Sequence, residues 1–121
     1  MRHEDAWPTE LKVTNTGTNL AVAFDDGRRY ELPAELLRVR SPSAEVQGHG
    51  PGQRVTVPGK RNVAISDVVP VGHYAVRLVF DDGHDSGIFT WAFLSEIGET
   101  QDDVWQGYLT ELTEKGLRRE P

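Results

Sequence analysis

The 121 residues predict an α+β domain, mainly antiparallel β-sheet built from paired hairpins, with short helical turns and one C-terminal helix. Two observations carry most of this. The turn Phe-Asp-Asp-Gly occurs twice, at 24–27 and 80–83, each time after alternating apolar residues: Leu20, Val22 and Phe24 in one copy, Val76, Leu78 and Phe80 in the other. Alternation of this kind puts one face of a strand in a core, and Asp-Gly between two such runs is a strong hairpin signal, here read as a type I′ turn. The other observation is a helical stripe near the C-terminus, Val104, Tyr108, Leu109 and Leu112.

The remaining elements follow from local chemistry. "LKVTNTGTNLAVAF" predicts a strand pair turning at Thr16 to Thr18, and "NVAISDVVPVGHYAVRLVF" a third hairpin around Pro70 to His73. Each half then enters a short helical turn. "PAELLRV" starts at Pro33, and "TWAFLSEIG" stops at Gly98; together they should bury Leu36, Leu37, Trp91 and Leu94 on one sheet. The last helix should be capped by Thr100 and closed by Gly116, with Leu117 making the accompanying apolar contact. Gly107 inside it costs about 1 kcal/mol relative to alanine, so this helix needs docking. "RVTV" at 54–57 reads as a further short strand. A single domain over 1–121 is expected, with frayed ends at about 1–9 and 117–121.

Composition narrows the chemistry. A formal charge of −6 argues against a nucleic-acid partner, which needs a net or clustered positive face. No cysteine is present, which removes disulfides, thiolate catalysis and thiolate metal cages. No apolar run approaches the roughly 20 residues of a membrane span. The start "MRHEDAWPTE" is too polar for a signal peptide, so a cytoplasmic protein without membrane partners is expected.

The unusual stretch is "RVRSPSAEVQGHGPGQR", residues 38–54, inside a Gly- and Pro-dense connection over 41–61. Connections this long are uncommon in small domains unless they are functional or disordered. Catalytic patterns do not fit: Ser41, Ser43 and Ser86 lack a G-x-S-x-G elbow, His84-Asp85 is not an H-x-D triad, and "GHGPGQR" precedes neither a helix nor a Walker lysine. Basic residues Arg38, Arg40, Arg54, Lys60 and Arg61 gather around the loop, and Asp25, Asp26, Asp81, Asp82 and Asp85 gather at the hairpin turns; His3 and His73 read as surface residues.

The order of the F-D-D-G hairpin, "LLRVRSPSAEVQGHG" and "FDDGHDSGIFTWAFL" resembles the small domain at the N-terminus of gamma-butyrobetaine hydroxylase and its trimethyllysine relatives. It is more similar still to the stand-alone bacterial members of that domain family, over Leu11 to Gly98. In the hydroxylases the resemblance implies a structural zinc held by C-x-C-x-x-C and a later histidine. Those positions fall on Ser41, Ser43, Val46 and His84. Serine hydroxyls stay protonated and valine has no lone pair, so only His84 remains as a donor.

Three readings of the loop follow. Turn chemistry at Ser41, Pro42 and Ser43 could satisfy backbone donors where metal once held the chain. A relocated metal site for zinc or iron could use His49 and His84 with Glu45, Asp82 or Asp85. A partner site could comprise Glu45, Gln47, Gly48, His49, Arg54, Asp82 and Asp85. The expectation is a non-enzymatic binding or adaptor domain with no catalytic residue and no cofactor, whose partner is a protein or a second copy of this chain. The alternative is a metal-binding protein linked to iron or iron–sulfur handling, because related domains occur in some iron–sulfur carrier ATPases.

Overall fold

The two Phe-Asp-Asp-Gly turns are built alike in the computed structural model, which describes residues 6–48, 50 and 52–121. Gly27 N–H donates to the Phe24 carbonyl at 3.0 Å and Phe24 N–H to the Arg28 carbonyl at 2.8 Å; Gly83, Phe80 and His84 repeat the pattern at 3.1 and 2.9 Å. Positive φ is confined to the glycine of each turn, 93° at Gly27 and 91° at Gly83. The turn is therefore not type I′, which needs two such residues. It is a type I turn closed by a glycine in the left-handed region, the three-residue hairpin loop. Asp26 and Asp82 each accept the N–H two residues on, so one Asp fixes the turn and the residue after the glycine is presented in a set direction.

Two three-stranded antiparallel sheets result, not one. The first is β1 (Pro8–Thr14), β2 (Asn19–Phe24) and β3 (Arg29–Pro33); the second is β4 (Ile65–Val71), β5 (Ala75–Phe80) and β6 (Ile88–Thr90). The middle strand is the F-D-D-G strand in each, and β1 and β4 both carry a register shift near their start. Each third strand passes into a helix whose first N–H donates to the residue before the middle strand: Ala34 to Thr18 at 2.9 Å, Trp91 to Tyr74 at 3.1 Å. These helices are α1 (Ala34–Val39) and, after a one-turn α2 (Ala44–Gln47) and β4 to β6, the long α3 (Trp91–Glu114). The chain is thus a strand-strand-strand-helix unit used twice.

Alternation buries the expected faces. Leu20, Val22, Phe24 and Leu32 share one core with Ile65, Val76, Leu78, Phe80 and Phe89, closed by Leu36 and Leu37 of α1 and Leu94 and Ile97 of α3. A second cluster, Val39, Tyr108 and Leu112, joins the end of α1 to the second half of α3.

Several expectations are corrected. Gly98 does not end a helix and Thr100 does not start one; α3 is continuous and is capped by Thr90, whose hydroxyl accepts the Phe93 N–H at 3.0 Å. Gly98 sits inside it because a Cβ there would lie 2.4 Å from the Tyr30 ring, and the Thr100 hydroxyl donates back to the Glu96 carbonyl. The Gly116 stop holds as read, with Leu117 N–H donating to the Leu112 carbonyl at 2.8 Å. Trp91 is only half-buried; Phe89 takes the core position, while the indole N–H reaches the His73 carbonyl at 2.8 Å. Residues 54–57 form no strand: Val55 N–H instead pairs with the Val46 carbonyl and Val57 O accepts the Tyr108 hydroxyl. Strand β1 begins at Pro8, and the 117–121 tail carries backbone bonds from Gly59 and Arg61 as well as the bidentate pair Arg119–Glu35. Among the described residues no helix is long and apolar enough to cross a membrane.

Candidate functional site

His84 owes its place to the second hairpin turn. It occupies the position that Arg28 holds in the first copy, directly after the glycine, and its side chain is 2% exposed. Opposite it, α1 ends at Val39 and the chain turns through Ser41 to Ser43 into α2, so both serines come back toward the hairpin. His84 Nε2 lies 3.0 Å from Ser41 Oγ and 3.3 Å from Ser43 Oγ. Its Nδ1 lies 2.8 Å from Glu45 Oε2, and the Ser86 hydroxyl donates to the other Glu45 oxygen at 3.2 Å. The bonds from His84 and Ser86 hold the Glu45 carboxyl below its ordinary range. An ionised carboxylate only accepts, so the imidazole carries a proton on Nδ1 and donates it to Glu45.

Ser41, Ser43, Val46 and His84 are thus neighbours, all buried. The two serine hydroxyls bond the imidazole, however, and not the local backbone that turn chemistry predicts. The backbone there is served by Gln47, whose amide donates to the Ser41 carbonyl at 3.0 Å. Gly87 allows the closeness: a Cβ on it would sit 2.3 Å from Ser41 Oγ.

Ser41–His84–Glu45 has the connectivity of a hydrolytic triad. Its accessibility is wrong for that chemistry, since Ser41 is 0% exposed. Nor does the donor set fit the zinc implied by the resemblance: two hydroxyls, the isopropyl side chain of Val46 and one imidazole whose two nitrogens already have partners. Among the described residues no group of three or more His, Asp or Glu side chains is placed to hold a metal ion. His49 lies outside the described residues.

The other predicted site residues divide. Asp82 clamps the network from behind, accepting Arg38 Nε and Lys60 Nζ at 2.7 Å each and the His84 N–H at 3.0 Å. Burial pushes its carboxyl up, but the bonds from Lys60, the His84 N–H and Arg38 outweigh this and bring the pKa to about 2. Asp85 stays apart, largely exposed beside Arg77. Gly48, at φ 72°, ends α2 where a Cβ would strike Gln53.

Arg54 belongs to a different cluster. It and the buried Arg40 both donate to Glu111 Oε2 of α3, at 2.7 and 2.6 Å, while Thr56 donates to Oε1 at 3.0 Å and Lys115 to the Thr56 hydroxyl at 2.7 Å. Burial pushes the Glu111 carboxyl up, yet the bonds from Arg40 and Thr56 hold it below its ordinary value. Beside this cluster a cleft of about 410 Å³ runs along α3 over Phe93, Ile97, Val104 and Gly107. A second, more polar cleft, lined by Gln47, Gly50 and Lys115, meets it at Arg54 and Glu111. Glu111 and Lys115 were not legible as site residues, because their partners lie about 55 to 71 positions away in the chain. Only the basic excess around the loop hinted at them.

A family model described as "Gamma-butyrobetaine hydroxylase-like, N-terminal" matches residues 11–95. Two protein structures solved in solution by NMR are 46% identical with a TM-score of 0.83; the chain covers 96% of itself and 91% of one, 98% and 88% for the other. A crystal structure of a protein of unknown function of the DUF971 family, from Acidithiobacillus ferrooxidans, is 40% identical, with TM-score 0.62 over 75% of this chain and 91% of that one. No curated protein matches the chain.

Proposed function

Because the chain belongs to the gamma-butyrobetaine hydroxylase-like N-terminal domain family, we propose that it is a non-enzymatic binding domain, a cytoplasmic adaptor for another protein. In this reading a closed hydrogen-bond network occupies the place where relatives resembling the hydroxylases hold zinc. The observation that carries it is the buried contact of His84 Nε2 with both serine hydroxyls, at 3.0 and 3.3 Å. The network holds residues 41–48 in place, with the serine hydroxyls and both imidazole nitrogens already paired. Recognition then falls to the face beside it, where the α3 cleft, Arg54 and Gln47 are open.

The metal-binding alternative, with iron or zinc at His49 and His84 and Glu45, Asp82 or Asp85 as oxygen donors, finds no group of three or more donors among the described residues, which do not include His49. The two readings are separated by the metal content of protein purified without an affinity tag and equilibrated with zinc or ferrous ions, beside a His84→Ala variant. Metal well below one ion per chain in both supports the binding-domain reading. One ion per chain, lost in the variant while the fold remains, overturns it.

A further inference from the structure

The cleft along α3 joins an apolar floor to a cationic end. Phe93, Ile97 and Val104 form the floor, and Arg40 and Arg54 stand at the end nearer the helix C-terminus. Glu111 answers both arginines with one oxygen, and Lys115 lies one turn further on, lining the adjoining cleft. Positive charge therefore exceeds negative at this end, in a chain whose formal charge is −6. Arg40 is 6% exposed, and among the described residues its Nη1 has no hydrogen-bond partner. A charged group in that situation keeps a field that solvent does not screen well.

Gly107 supplies an independent observation. It lines the cleft, and a Cβ added to it would meet nothing within 4 Å. Glycine inside a helix is unfavourable relative to alanine, and no neighbouring atom requires it here. What it contributes is depth. The volume, about 410 Å³, falls in the range of small-ligand sites, about 300–1,000 Å³.

We infer that the cleft binds an organic monocarboxylate with an apolar body. The carboxylate is received by Arg54 in the field of Arg40, and the body lies over Phe93, Ile97, Val104 and Gly107. Arginine is suited to this because its planar fork matches a carboxylate. Glu96 and Asp103 line the cleft toward the helix N-terminus and fix the orientation by repelling the carboxylate from that end. The inference rests on the binding face proposed above but on no particular protein partner.

The test is a titration of isotope-labelled protein with hexanoate, followed by amide chemical shifts, beside hexanamide, acetate and N-acetyl-leucyl-leucine. Saturable shifts confined to residues 93–111 and 54 are expected for hexanoate, with hexanamide and acetate weaker by about tenfold or more. Arg54→Gln should weaken hexanoate by about tenfold. Gly107→Leu should raise the melting temperature and abolish the shifts, so lost binding there cannot be lost folding. Tighter binding of N-acetyl-leucyl-leucine assigns the carboxylate to a peptide end and weaker binding to a small acid, and either result supports the site. Hexanamide binding as well as hexanoate, full binding by Gly107→Leu, or no saturable shift with any probe overturns the inference. These outcomes leave the metal analysis untouched, whereas one metal ion per chain overturns the binding-domain reading whatever the titration shows.

Discussion

His84 is the residue on which the loop depends, and its removal has a calculable consequence. In His84→Ala two buried hydroxyls, Ser41 and Ser43, lose their partner and a ring-sized space opens against Phe80. Cavity and unsatisfied-group terms together predict a loss of about 3 kcal/mol in urea unfolding, against about 1 kcal/mol for Ser41→Ala. Asp82 gives the network a pH limit. Its folded pKa, about 2, lies below the unfolded value of about 3.9, so its contribution is fully present above pH 4 and is lost as pH falls through the folded value. Acid unfolding followed by circular dichroism should show this limb, and Asp82→Asn should flatten it; an unchanged acid limb would mean that Asp82 titrates alike folded and unfolded. The histidine was legible in the sequence as the surviving family ligand. Its bond to Glu45 was not, because a contact across 39 residues leaves no local pattern.

At the scale of elements, α3 shows how two glycines of one helix can have opposite meanings. Gly98 has the Tyr30 ring against its Cα, with an added Cβ at 2.4 Å, so Gly98→Ala should destabilise by about 1 to 3 kcal/mol. Gly107 faces open space, and Gly107→Ala should stabilise by up to about 1 kcal/mol. Thermal unfolding of the pair checks both signs, and equal effects would contradict the placement of Tyr30. Sequence reasoning takes Gly98 for a helix stop because glycine is a frequent terminator and Thr100 a frequent cap. The tyrosine that makes glycine necessary lies on β3, 68 positions earlier, where no periodicity could reveal it. By contrast the hairpins were legible almost to the residue, since Asp and Gly determine their turns locally. Only the turn type differed, because one left-handed glycine was enough.

On the scale of the whole molecule, the two strand-strand-strand-helix halves are tied by contacts that no half could make alone. Asp82 joins the second hairpin to α1 through Arg38, and Arg119 in the tail closes on Glu35 of α1 while covering Trp105 at 5.1 Å. Glu35 is 6% exposed, so Arg119→Ala leaves a buried carboxylate without its partner and should cost about 3 kcal/mol in urea unfolding. A cost near zero would show the tail to be loose, as sequence position alone suggests. The repeated architecture was visible in the doubled F-D-D-G motif; the split into two sheets was not, because pairing between halves is decided by tertiary packing. The central claim is that hydrogen bonds, and not a metal, hold the 41–48 segment. Amide exchange of Val46, Gln47 and Gly48, whose N–H groups bond Ser43 and Ala44 carbonyls, measures this most directly. In protein freed of metal with chelator these amides should exchange slowly, and zinc should leave their rates unchanged; rapid exchange that slows when zinc is added would contradict the account.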